Sequence, residues 1–129
     1  MTKYLLDSNA AIDYIGGILP QKAIEWLDSI IENEVSMSVI NQIEVLGFNP
    51  QNPADLIPFQ ELVNTTTIIN LTGAIVQQTI NIRRLYKIKL PDAVVAATAL
   101  VQGLEIITRN LSDFKKINGI RILNPHDIK

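Results

Sequence analysis

Cysteine is absent from the chain, and with it go disulfides, zinc–thiolate sites and cysteine nucleophiles. Histidine occurs once, as His126 beside Pro125 near the C-terminal end, so histidine-based metal sites and a histidine general base are not expected. Excess positive charge is missing too. Eleven basic against thirteen acidic residues give a net charge of −2, which argues against nucleic-acid binding through bulk charge. A pocket of carboxylates that loads divalent cations would nonetheless be negative on its own, with the ions supplying attraction to phosphate. No apolar run approaches the roughly 20 residues that span a bilayer, since the longest, Ala93 to Val101, is interrupted by Thr98. Met1-Thr2-Lys3 leads straight into a strand-like run, so no leader is expected and the location reads as cytoplasmic. Aromatics are few. Trp26 and the others read as core or dimer contacts rather than base-stacking platforms.

What is present suits a packed domain. At 129 residues and 47% hydrophobic, the chain reads as a single domain over 1–129 with a substantial core. Strands are expected at Tyr4–Leu6, Val35–Val39, Thr65–Leu71, Glu105–Thr108 and Ile120–Leu123. Helices are expected over Ala10–Ile15, from Pro20 through Ile31, and over Asn41–Phe48, Ala54–Val63, Gly73–Tyr86 and Pro91–Gln102, with a turn near Ser112–Lys116. Pro91 in a first turn and Gly103 beyond the last residue match the asymmetry of helix ends. Five short strands alternating with helices predict an α/β fold, a parallel sheet covered on both faces. Ligands then belong beyond the carboxyl ends of the strands, where the strand order reverses.

Acidic residues fall at that end. Asp7 closes the first strand, although it would equally cap the following helix. Asp92 heads a helix apolar nearly all round, where a charge without partners would cost several kcal/mol. Its ordinary alternative is to complement the helix dipole. Glu44 falls on or beside the apolar face of the helix after the second strand, and a surface position is the commoner outcome for such a residue. Asp113 follows the fourth strand and taken singly would pass for a cap. Oxygen ligands without His or Cys suit Mg²⁺ or Mn²⁺ rather than zinc. A basic run, Arg83, Arg84, Lys87 and Lys89, leads to Asp92, and Arg109, Lys115 and Lys116 flank Asp113. These cations suit a phosphate backbone, or else a solvated helix end.

With these residues in view, the sequence resembles a PIN domain, most closely a VapC-type toxin of a toxin–antitoxin pair. The matching segments are Tyr4-Leu5-Leu6-Asp7-Ser8-Asn9, Ser38-Val39-Ile40 leading to Glu44, Leu90-Pro91-Asp92-Ala93, and Ile107-Thr108-Arg109-Asn110 with Asp113-Phe114. Ile122-Leu123-Asn124-Pro125 resembles the family's usual ending. The resemblance implies a three-layer α/β/α sandwich with a five-stranded parallel sheet, a homodimer, an antitoxin partner, and Mg²⁺- or Mn²⁺-dependent cleavage of RNA by metal-activated water. It implies Asp7, Glu44, Asp92 and an acid near the fourth strand as metal ligands, with Asn9 and Thr108 in support. Some members carry that acid where this chain has Asn110, and the nearest carboxylate here is Asp113. A non-catalytic PIN-like binding module is the alternative. A receiver-type signalling domain would want paired acids after the first strand and an acid after the third, and neither is present. DNA or flap cleavage shares the chemistry, but nothing here resembles the extra domains of such enzymes.

Overall fold

The computed structural model describes residues 2–129. Five strands form one sheet: β1 (Tyr4–Leu6), β2 (Val35–Ser38), β3 (Thr67–Ile69), β4 (Glu105–Ile107) and β5 (Ile122–Leu123). Every pairing is parallel and the order is β3-β2-β1-β4-β5. Strand order therefore reverses between β1 and β4.

Side chains alternate across the sheet, as the two-residue period requires. Leu5 and Ile106 are paired in register and enter the core beneath α5 (Gly73–Leu85), α6 (Leu90–Gln102) and α7 (Leu111–Phe114). Leu6 and Ile107, the next pair, join Val35 and Met37 on the opposite face. That face is covered by α1 (Ser8–Ile15), α2 (Gln21–Ile30), α3 (Val39–Leu46) and α4 (Ile57–Thr65). The result is the expected three-layer α/β/α sandwich. Right-handed crossovers account for the division: helices reached while the sheet grows one way from β1 lie on one face, and those reached after the reversal lie on the other.

Helix α6 is the deepest. Seven consecutive residues, Ala93 to Ala99, are buried, so the all-round apolar pattern does mark an enclosed helix. Its alanines let it lie close to both α5 and the sheet. Thr98 is tolerated there because its hydroxyl donates to the carbonyl of Val94. Gly103 ends α6 at φ +70°, a left-handed conformation that favours glycine.

Several boundaries differ from those read in the sequence, each for a local reason. Helix α3 begins at Val39 rather than Asn41, because Ser38, the last residue of β2, also caps it: Ser38 Oγ accepts from Ile40 N–H. The helix expected over Ala54–Val63 divides into a 3₁₀ turn, Pro53–Leu56, and α4, in whose first turn Pro58 supplies no N–H. Thr65 ends α4, its hydroxyl bonded back to the carbonyl of Glu61, which shortens β3. Beyond β5 lies a second 3₁₀ turn, Pro125–Asp127, that the sequence pattern did not suggest.

Candidate metal centre

Asp7 leaves the carboxyl end of β1 at 5% exposure and carries the densest set of contacts in the chain's acidic cluster. Its Oδ1 accepts from Ser8 N–H at 2.9 Å and Asn41 Nδ2 at 3.0 Å. Its Oδ2 accepts from Thr108 Oγ1 at 2.9 Å and Asn9 Nδ2 at 3.3 Å. Asp7 is also the N-cap of α1, the ordinary role its sequence position allowed. Burial raises its pKa, opposed by the bonds from Thr108, Ser8 and Asn41, while the negative charge of Glu44 adds to the rise.

Asp92 sits half-buried at the head of α6, just ahead of the fully enclosed turns. It is less buried than its helix suggested. Burial, then the charges of Asp7, Asp113 and Glu44, push its pKa up to about 6, with Lys89 pulling the other way. Among the described residues, no donor bonds its carboxylate. Glu44 is exposed on α3 rather than on its apolar face, and its Oε1 accepts from Ser8 Oγ at 2.7 Å. Asp113 lies in α7, half-buried, and accepts from Asn110 Nδ2 at 3.2 Å.

Asp92 thus lies within electrostatic reach of the other three carboxylates. Among the described residues, however, no three acidic or histidine side chains stand close enough to enclose one ion as placed. The two statements are compatible, since charge is felt over roughly 10 Å and Mg²⁺ is ligated at about 2 Å. The donor set fits a hard cation in its chemistry: every group is a carboxylate, amide or hydroxyl oxygen, and Asp92 has no competing donor.

The cations expected near the site do not stay together. Arg83, Lys87 and Lys89 line one groove of about 430 Å³ together with Ile88 and Asp113. Arg84 is exposed in the last turn of α5, outside that groove. Arg109 is held elsewhere, its Nη1 bonded to both oxygens of Asp13 at 2.9 and 3.1 Å.

Three contributors were not singled out from the sequence. Asn41, fully buried, joins Asp7 to Ser8 and takes the Ser38 N–H on its Oδ1 at 3.1 Å. The spacing Ser38-x-x-Asn41 is a variant of the capping box, and that was its available signal. Ser8 bridges Asn41 and Glu44. Asp13 is 2% exposed on α1, bonded to Arg109 and to His126.

Comparison with known proteins bears on the family and the fold. The PIN domain family model matches residues 4–120. Comparison with curated protein sequences gives no match. Among solved structures, a chain of a toxin–antitoxin complex from Klebsiella pneumoniae is similar, with TM-score 0.77 and 32% identity over 95% of this chain and 98% of that one. A chain of DNA-bound VapBC from Salmonella typhimurium superimposes with TM-score 0.83 at 23% identity, over 97% of this chain and 99% of that one. A chain of FitAcB from Neisseria gonorrhoeae gives 0.73 at 23%, over 95% and 97% respectively. With a family model matching most of its length and a parallel sheet that brings acids to the strand ends, the chain belongs to the PIN-domain family.

Proposed function

We propose that this chain is a divalent-metal-dependent endoribonuclease, a VapC-type toxin acting as a single domain over residues 1–129. The observation that carries this reading is Asp92, a half-buried carboxylate without a hydrogen-bond donor among the described residues, within electrostatic reach of Asp7, Glu44 and Asp113 near the point where strand order reverses. Asp7, Glu44, Asp92 and Asp113 would hold Mg²⁺ or Mn²⁺. Such a cation, when bound, acidifies water and offsets charge on the phosphate during in-line displacement.

The chain's own residues prepare the rest. Thr108, Asn9 and Asn41 hold the Asp7 carboxylate in one orientation, which reduces the ordering left to be done when substrate arrives. Ser8 and Asn110 restrain Glu44 and Asp113. Arg83, Lys87 and Lys89 share a groove with Asp113, which offers an RNA backbone a basic path beside the acids. Arg83→Gln with Lys87→Gln is expected to raise KM and to lower the salt slope of RNA binding by about 1.4, from about 0.7 per phosphate contact on a single strand. Titration of binding against KCl concentration reads that slope; an unchanged slope would exclude the groove as the RNA path.

The same reading includes an antitoxin partner, a homodimer and a cytoplasmic location. Apolar surface supports the protein partners. Ile12, Ile18, Ile43, Phe48 and Ile57 are exposed on the α1–α4 side. Ile40, Leu71, Val76, Ile80, Leu90 and Val94 line an apolar groove of about 270 Å³. No helix among the described residues is long and apolar enough to cross a membrane.

The deciding experiment incubates a mixed tRNA and rRNA pool with the protein in Mg²⁺, in Mn²⁺ and in EDTA, beside Asp92→Asn. Metal-dependent cutting lost in the variant is the expected result. No cutting by the wild type, with no metal-induced rise in melting temperature, would instead identify a PIN-like binding module without activity.

A further inference from the structure

Asp13 is the most enclosed carboxylate of the described residues, and the proposed chemistry has no use for it. An ionised carboxylate only accepts hydrogen bonds, so both of its partners are donors. Arg109 Nη1 reaches both oxygens, and His126 Nε2 reaches Oδ2 at 2.8 Å. A charge withdrawn from water to this extent is retained only when paired, and here two groups distant in sequence pair with it.

The pairing determines where Arg109 lies. The backbone N–H of Arg109 donates to Asn9 Oδ1 at 3.1 Å. Asn9 and Asp13 are four residues apart in α1, hence on one face of it. Arg109 is therefore fastened along α1 at two points, by its backbone at Asn9 and by its guanidinium at Asp13. On either side of it stand the residues that hold the acids. Thr108 donates to Asp7, and Asn110 donates to Asp113 through its side chain and to Thr108 Oγ1 through its N–H, at 3.0 Å. His126 comes from the 3₁₀ turn after β5 and closes the arrangement over Asp13.

We propose that Asp13, clamped by Arg109 and His126, is a positioning residue that sets the segment leaving β4, so that Thr108 and Asn110 hold Asp7 and Asp113 at the site. Arg109 is then a strut of the site and not a contact to phosphate. Its effect on metal and RNA rests on the function proposed above, whereas the positioning itself does not.

Amide hydrogen exchange separates the two. In Asp13→Asn, protection of the Arg109 and Asn110 amides is expected to fall about tenfold, while that of Ile106 within β4 is kept. Unchanged exchange at Arg109 and Asn110 overturns the proposal, whether or not the protein binds metal. The second readout is Mn²⁺ binding by calorimetry on the folded variants, with kcat and KM on RNA. Asp13→Asn and Arg109→Gln should each weaken Mn²⁺ about tenfold and lower kcat more than they raise KM, as supporting groups around a metal do. The double variant should be no worse than either single, because the two act as one unit. Arg109→Gln raising KM alone, with Asp13→Asn like wild type, would make Arg109 a phosphate contact and overturn the clamp. Should Asp13→Asn fail to fold, His126→Ala removes one strut and leaves Arg109 on Asp13. Faster exchange at Arg109 supports the proposal there too, and wild-type exchange in both His126→Ala and Arg109→Gln overturns it.

Discussion

Asp92→Asn is expected to melt higher than the wild type in EDTA and to cut no RNA. The charges of Asp7, Asp113 and Glu44 lie within electrostatic reach of Asp92 and disfavour its ionised form, so removing its charge relieves repulsion. Asp92 is also half exposed, so solvent screening reduces the relief to on the order of 1 kcal/mol, or about 3–4 °C in a chain of this length. The pH dependence has a definite sign. The folded state holds the Asp92 proton up to about pH 6, while the unfolded carboxyl releases it near 3.8. Between those values the native state binds more protons than the unfolded one, so stability in EDTA falls as pH rises. Below about pH 4 the difference disappears, because both states are protonated. The variant should flatten that decline. Added Mg²⁺ should reverse it in the wild type, with a melting shift that grows from pH 5 to 7 as the ligand carboxyls ionise. A variant that melted lower than wild type in EDTA at pH 7 would sink the picture of clustered carboxylates.

Asn41→Leu should act in the opposite direction and more strongly. Leucine has the same branched shape but is bulkier, so no cavity arises and the cost is the lost polar contacts with some overpacking added. Three bonds go at once, to Asp7 Oδ1, Ser8 Oγ and Ser38 N–H, at a position with no solvent access. Each buried group left unsatisfied costs about 1–3 kcal/mol. A total on the order of 3 kcal/mol lowers the melting temperature by roughly 10 °C. Asp7 also loses a bond that favours its charged form, so its pKa rises further and Mn²⁺ affinity should fall about 10–100-fold. Thermal melts in EDTA followed by Mn²⁺ calorimetry check both parts. A wild-type melt would show that Ser8 and Thr108 suffice to hold Asp7.

These two substitutions differ in how far the sequence foretold them. Asp92 was legible because an acid at the head of an all-apolar helix contradicts its surroundings. Asp7 was legible because a strand ends on it where ligands belong. Asn41 was not, since its capping role is local but its bond to Asp7 crosses 34 positions. Asp13 shows the difficulty most plainly. The hydrophobic pattern of α1 would turn Ile12 inward and Asp13 outward, yet Ile12 is 48% exposed and Asp13 is 2% exposed. The inversion is possible only because Arg109 and His126, 96 and 113 positions away, arrive to satisfy the carboxylate.

By itself the sequence determined the layers and the residue types open to a site. Apolar strands alternating with helices require a parallel sheet covered on both faces, and β-branched runs at a two-residue period supply sides for two cores. The lack of cysteine and the lone histidine left oxygen donors for any metal the chain would hold. Tertiary structure alone decided how each charge is spent. It put Arg83, Lys87 and Lys89 in one groove with Asp113, held Arg109 on Asp13, and, among the described residues, left Asp92 as the one of the four acids without a donor. The reason is one of range. Periodicity and capping are settled by neighbours three or four residues away, whereas the free energy of a buried charge depends on whichever partners the folded chain brings within about 3 Å.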